Sequence, residues 1–123
     1  MDKKKILLVD DEPHILMTVG SRLKANGYEV ITASDGQEGL DMTYKEKPDL
    51  IILDLMLPKL NGHEVHKKLK SDAAYKDIPI VMLTASAAMD DMKTGMQLGA
   101  DGYVTKPFKP EVLLAIIQGL LGK

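Results

Sequence analysis

Five places in the chain carry residue types that could do chemistry together. Asp10 and Asp11 end the apolar run ILLV and are followed by Glu12. Asp54 ends LIIL, Thr84 ends IVML, and Lys106 follows GYVT. Two carboxylates about 4 Å apart near a protein surface repel by roughly 4 kcal/mol at an effective dielectric near 20. If Asp10, Asp11 and Asp54 meet, a cation belongs among them. The chain has no cysteine and no histidine at any of these places, so the donors are hard oxygens. That donor set selects Mg²⁺ or a similar ion, held by one or two carboxylates and several waters. Such an ion normally serves phosphate oxygens. Neither G-x-x-x-x-G-K-[ST] nor G-x-G-x-x-G occurs, so nucleotide binding is not expected. What remains is a phosphoryl group carried by the protein. A carboxylate can act as nucleophile and become an aspartyl-phosphate, and Asp54, on the middle run, is the candidate. Lys106 supplies a point charge for a phosphoryl oxygen and Thr84 a hydroxyl donor. Backbone N–H groups near Met56 and Ala85 supply more.

For these residues to meet, the elements before them must end at a common edge. Four short runs rich in Val, Ile and Leu are continuous: KILLV (5–9), DLIIL (49–53), IPIVML (78–83) and GYVT (102–105). Continuous apolar runs suit strands covered on both faces, as in parallel sheets. YEVITA (28–33) alternates, as a half-buried strand does. Helical patterns lie between. Pro13 opens the first, with Glu12 at its cap, an Ile15, Leu16, Val19 and Leu23 stripe, and Asn26-Gly27 at its end. The second is capped by Ser34 or Asp35 and ends before Pro48. A third runs from Gly62 to Ser71, a fourth over 88–98. The last starts at Pro110, with Val112, Leu113, Ile116, Ile117 and Leu120 on one face. Five βα units in alternation predict an α/β doubly wound fold, a parallel five-stranded sheet with helices on both faces. In such sheets ligands bind beyond the carboxyl ends of the strands, where all five chemical positions fall. Each residue alone reads as a turn, cap or solvated charge; their convergence is what points to a site.

The 123 residues suffice for one domain with a real core, and 45% apolar with 28% charged residues is ordinary for a soluble protein. A net charge of −2 gives no basic footprint for nucleic acid. MDKKK before ILLV looks like the start of a signal peptide, but the run is too short and acids follow at once. No segment is long enough to span a membrane. The expectation is a cytoplasmic single domain over 1–123, with no membrane insertion, no direct nucleic-acid contact and no further domain.

VDDE, LIILDLMLPKLNG, LTA and GYVTKPF, in this order along the whole chain, resemble the signatures of response-regulator receiver domains of two-component signalling. The resemblance implies a (βα)5 flavodoxin-like three-layer sandwich with strand order 2-1-3-4-5. It implies that a sensor histidine kinase or phosphotransfer protein phosphorylates Asp54, the domain assisting only its own phosphorylation and dephosphorylation. Asp11, Asp54 and the carbonyl of Met56 would ligate Mg²⁺, with Asp10 acting through water. Thr84 and Lys106 would hold the phosphoryl group, and the Lys106–Pro107 bond would be cis. Thr84 and Tyr103 would form the switch, acting on the face made by the 88–98 helix, the fifth strand and the last helix, where a downstream protein binds. Leu57 stands where the motif commonly has Met. Two rival readings remain. A phosphatase of the haloacid-dehalogenase type would need a second Asp two residues beyond Asp54, where Met56 stands. A pseudo-receiver acting only as an interaction module would lack an acid or the lysine, and none is missing.

Several residues outside this set carry weaker signals. Met56 and Ser86, two residues beyond Asp54 and Thr84, would flank the phosphoryl group and give opposite cues about its exposure to water. Met89, Met92 and Met96 form an adaptable stripe, with Met92 expected to be partly exposed and to contact a partner. His63 and His66, spaced i, i+3, are expected on a solvated helix face, His14 exposed on the first helix, and Lys3–Lys5 in a solubilising tail.

Overall fold

The structure, a computed structural model, describes residues 3–57, 59–84 and 100–122. The elements are β1 (Lys5–Val9), α1 (Pro13–Ala25), β2 (Glu29–Ala33), α2 (Gly36–Glu46), β3 (Leu50–Asp54), α3 (Gly62–Lys70), β4 (Ile80–Thr84), β5 (Gly102–Thr105) and α4 (Pro110–Leu121). The strands form one parallel sheet in the order β2-β1-β3-β4-β5. The order reverses between β1 and β3, so a crevice opens beyond their carboxyl ends. The predicted helix over 88–98, and with it Met89, Met92 and Met96, lies outside the described residues, as do Ala85 and Ser86.

Strand parity sorts the core into two layers. Ile6 and Leu8 of β1 and Ile52 of β3 pack with Val19 and Leu23 of α1 and Leu113 and Ile117 of α4. Leu7 and Val9 of β1 and Ile51 and Leu53 of β3 face the other way, onto Leu40 of α2 and Val65 and Leu69 of α3. Every residue of β3 and β4 is buried. This is why their sequences are continuous rather than alternating, and each such Leu or Ile contributes about 1.5–3 kcal/mol on burial. The edge strand β2 is less regular than YEVITA suggests: Val30 and Ile31 are both half-buried, with Glu29 and Thr32 exposed.

Local chemistry sets the helix ends. Asp35 caps α2 by accepting the Glu38 N–H at 2.7 Å, while Glu38 Oε1 accepts the Ser34 N–H at 2.6 Å, so orphan donors are satisfied in both directions. The Glu38 N–H holds the Asp35 carboxyl below its usual range. Asn61 caps α3 through the Glu64 N–H at 3.0 Å. Asn26 ends α1, and Gly27 takes a φ of +90°, as a chain leaving a helix requires.

Three expectations are corrected. Lys5, expected in a solubilising tail, is the first residue of β1, half-buried, and its ammonium donates to Glu46 Oε1 at 3.1 Å. Val112 is 49% exposed; the buried residues of α4 are Leu113, Leu114 and Ile117. The core stripe is thus rotated toward Leu114, while Ile116 and Leu120 are only partly buried. His66 is buried, not solvated. It falls on the stripe Gly62, Val65, His66 and Leu69, which the 3.6-residue period places against the sheet whatever its polarity. His63 is half-buried, and His14 is exposed as expected.

Gly62 couples the scaffold to the crevice. Its N–H donates to the Leu55 carbonyl at 3.0 Å, and a Cβ built on it would lie 2.4 Å from the Asp54 carbonyl oxygen and 2.8 Å from Leu55 Cα. Only glycine allows the start of α3 to come this close to the end of β3. Gly62→Ala is expected to lower stability by about 1–3 kcal/mol, the usual cost of overpacking, measured by urea unfolding.

Candidate phosphoacceptor and metal site

β1 ends at Val9, so Asp10 is the first residue past the strand, and its backbone N–H still donates to the Ala33 carbonyl of β2 at 3.1 Å. This fixes the Asp10 side chain at the sheet edge, fully buried. Asp54 and Thr84 are the last residues of β3 and β4, one position further along than the apolar runs suggest, and both are buried. The Thr84 carbonyl accepts the Lys106 N–H at 2.6 Å, tying the chain past β5 to the end of β4. The Lys106–Pro107 bond is cis, as the resemblance implies. The five places meet at one edge.

Asp10 and Asp54 use their carboxylates in the same way. Asp10 Oδ1 accepts the N–H of Glu12 at 2.9 Å, and Asp54 Oδ1 accepts that of Met56 at 3.1 Å. Each bond reaches two residues forward, as Asp side chains do in turns. Each leaves Oδ2 directed at one ammonium group. Lys106 Nζ lies 2.9 Å from Asp10 Oδ2, 3.1 Å from Glu12 Oε1 and 3.3 Å from Asp54 Oδ2. It donates hydrogen bonds to Glu12 and Asp54. Asp10 Oδ2 is buried and makes the shortest of these three contacts, so the ammonium charge is what compensates it.

Glu12 is the participant that sequence reasoning missed. It occupies the cap position of α1, but its side chain makes no capping bond; it reaches Lys106 instead. The available signal was its length: a cap must fold back onto its own helix within a turn, which Ser, Asn and Asp do and Glu does poorly. Asp11 is exposed, yet one oxygen from each of Asp10, Asp11 and Asp54 can lie within 4.8 Å of the others. Met56 has its side chain in solvent. Tyr103 is half-buried on β5 and packs against the layer containing Met82 and Ile80. Beside Lys106 a cleft of about 480 Å³ is lined by Ile15, Val19, Pro107 and Phe108, among others.

Three carboxylates around one ammonium, with Asp11 close by, leave the site short of positive charge. Burial pushes the Asp54 carboxyl above its ordinary value and the charge on Asp10 adds to this; the Met56 N–H and Lys106 oppose without cancelling. For Lys106, burial acts to release the proton, but Asp10, Glu12 and Asp54 outweigh it and hold the ammonium well above its usual value. The all-oxygen donor set of Asp10, Asp11 and Asp54, with one oxygen of each within 4.8 Å of the others, fits a hard divalent cation.

The model of the response regulator receiver domain family matches residues 6–118. A probable transcriptional regulator, ycf27 of Cyanophora paradoxa, is 50% identical over 98% of this chain and 49% of its own length. The chain spans about half the length of the curated relatives it matches. The chemotaxis response regulator CheY4 of Vibrio cholerae has a structure similar to this one, with TM-score 0.90, 39% identity, and coverage of 97% of this chain and 99% of that one. So has the receiver domain of a sensor histidine kinase from Pseudomonas aeruginosa PAO1, with TM-score 0.90, 30% identity, and coverage of 99% and 100%. That structure holds a magnesium ion coordinated in its active-site cleft. Among the described residues, no helix is long and apolar enough to cross a membrane.

Two outcomes follow from the charge balance. Lys106→Met leaves buried Asp10 and Asp54 without their cation and is expected to cost about 3–5 kcal/mol at neutral pH, partly restored by Mg²⁺ in urea titrations. Asp54 binds its proton more tightly folded than unfolded. The stability linked to it is therefore present below 3.8, its unfolded value, and is lost as pH rises through the higher folded value. Metal-free Asp54→Asn should have a higher urea midpoint than wild type at neutral pH, the gap closing as pH falls toward 3.8.

Proposed function

This chain belongs to the response regulator receiver domain family, and from that premise we propose that it accepts a phosphoryl group on Asp54 from a phosphohistidine of a sensor kinase or phosphotransfer protein. The observation that carries the proposal is the meeting of Asp10, Asp54 and Lys106, with Thr84 at the neighbouring strand end. An Asp54 carboxylate oxygen attacks phosphorus, the phosphorus–imidazole nitrogen bond breaks, and the nitrogen keeps the electron pair. Phosphoryl transfer asks mainly for positioning and charge neutralisation. Met56 N–H and Lys106 orient the carboxylate before the reaction. Lys106 then turns from Asp54 to a phosphoryl oxygen, and the Thr84 hydroxyl donates to another.

Asp11, Asp54 and the Met56 carbonyl are the proposed ligands of Mg²⁺, with Asp10 acting through water. When bound, the ion neutralises charge on the carboxylate and the phosphoryl oxygens. The proposed activity is confined to the protein's own phosphorylation and dephosphorylation. The apolar cleft beside Lys106 supports docking of the phosphodonor protein from the side of α1. Thr84 and Tyr103 are the proposed switch, and β5 and α4 part of the face that a downstream protein reads. The setting is proposed to be the cytoplasm.

Incubation with a small phosphodonor and Mg²⁺, read by intact-mass spectrometry, should add one phosphoryl group to wild type. Asp54→Asn should stay unlabelled, and a chelator should suppress labelling. Label persisting on Asp54→Asn, or unaffected by chelator, would overturn the assignment.

A further inference from the structure

Met56 is the residue of the site that the chemistry above uses only through its backbone. Its N–H holds Asp54 Oδ1 at 3.1 Å, while its side chain is 74% exposed. The thioether thus stands in solvent on a residue whose backbone contacts the phosphoacceptor. Elsewhere Met82 is buried in the core and Met42 partly buried against it, whereas Met17, on α1, is 72% exposed. Exposure governs which methionines meet an oxidant. Among the described residues Met56 and Met17 are thus equally accessible, and of the two Met56 adjoins Asp54.

We propose that Met56 is a redox modification site, and that its oxidation by a peroxide-class oxidant shortens the life of phosphorylated Asp54. This rests on the phosphoacceptor reading above. The step balances as thioether plus hydrogen peroxide giving sulfoxide plus water: sulfur loses two electrons and gains the oxygen, and the peroxide O–O bond breaks. The apolar methyl thioether offers water nothing to bind beside the acyl phosphate. The sulfoxide oxygen is a strong hydrogen-bond acceptor on the same flexible stem, able to hold a water next to phosphorus. Attack by that water releases inorganic phosphate and regenerates the carboxylate. Methionine sulfoxide is reducible by sulfoxide reductases, so the modification is reversible.

The test compares the protein before and after mild hydrogen peroxide. Peptide mass spectrometry should find Met56 and Met17 oxidised well before Met82. Phosphorylated with a small phosphodonor and Mg²⁺, then freed of donor, oxidised wild type should lose phosphate about two- to tenfold faster than reduced wild type. That range is the rate equivalent of one net hydrogen bond. A sulfoxide reductase should restore the slower rate. Met56→Leu, compared with itself before and after peroxide, should show no change in decay, and Met17→Leu should accelerate on oxidation as wild type does. Equal decay of oxidised and reduced wild type, or the same acceleration in Met56→Leu, would overturn the inference while leaving the phosphoacceptor reading intact. Absence of label on Asp54 in the reduced protein would overturn that reading, and this inference with it.

Discussion

One ammonium group among three carboxylates organises the functional end of this molecule. Lys106 Nζ is within 3.3 Å of oxygens from Asp10, Glu12 and Asp54, and its side chain is only 12% exposed. Ionised carboxylates at a buried sheet edge are tolerated only when paired. The lysine supplies the pairing, and its proton is held tightly in return. One positive charge does not balance Asp10, Asp11, Glu12 and Asp54, however. The site keeps an affinity for further positive charge where one oxygen from each of Asp10, Asp11 and Asp54 comes within 4.8 Å of the others.

The scaffold delivers these groups by making strands end together. β1, β3 and β4 are buried and in parallel register, so Val9 lies beside Leu53, and Asp54 beside Leu83. Each strand is anchored by its two core layers, which makes the position of its last residue rigid. The loops past the strands are then held by few but specific contacts: Gly62 against the Asp54 backbone, the Thr84 carbonyl on the Lys106 N–H, and two side-chain-to-backbone bonds at Asp10 and Asp54. Rigid strands with short tethered loops suit a site whose chemistry is positioning.

The same economy separates the roles of neighbouring residues. Asp10 and Asp11 are adjacent, yet one is buried against Lys106 and the other faces solvent. Past the end of a strand the chain turns, and successive side chains leave in different directions. Glu12, next in line, has its carboxylate recruited to the ammonium rather than to its own helix. A run of three acids thus divides into three environments within one turn.

The sequence by itself determined the strands, the alternation of elements and the convergence of five chemical positions, because burial on both faces and helical periodicity are written locally in residue type. Asp35, Gly27 and Pro13 are legible for the same reason: caps and turns depend on near neighbours. What only the tertiary structure decided depends on partners distant along the chain. Glu12 reads as a cap until Lys106, 94 residues away, is brought to it. His66 reads as a surface residue until α3 is laid on the sheet with its stripe inward. Val112 and Leu114 exchange places because the rotation of α4 is set by the residues of β4 and β5 beneath it, such as Val81, Leu83 and Val104. Gly62 gives no sign in sequence of how close it comes to Asp54. Local propensity fixes which elements form; the packing of one element against another fixes which of their atoms meet.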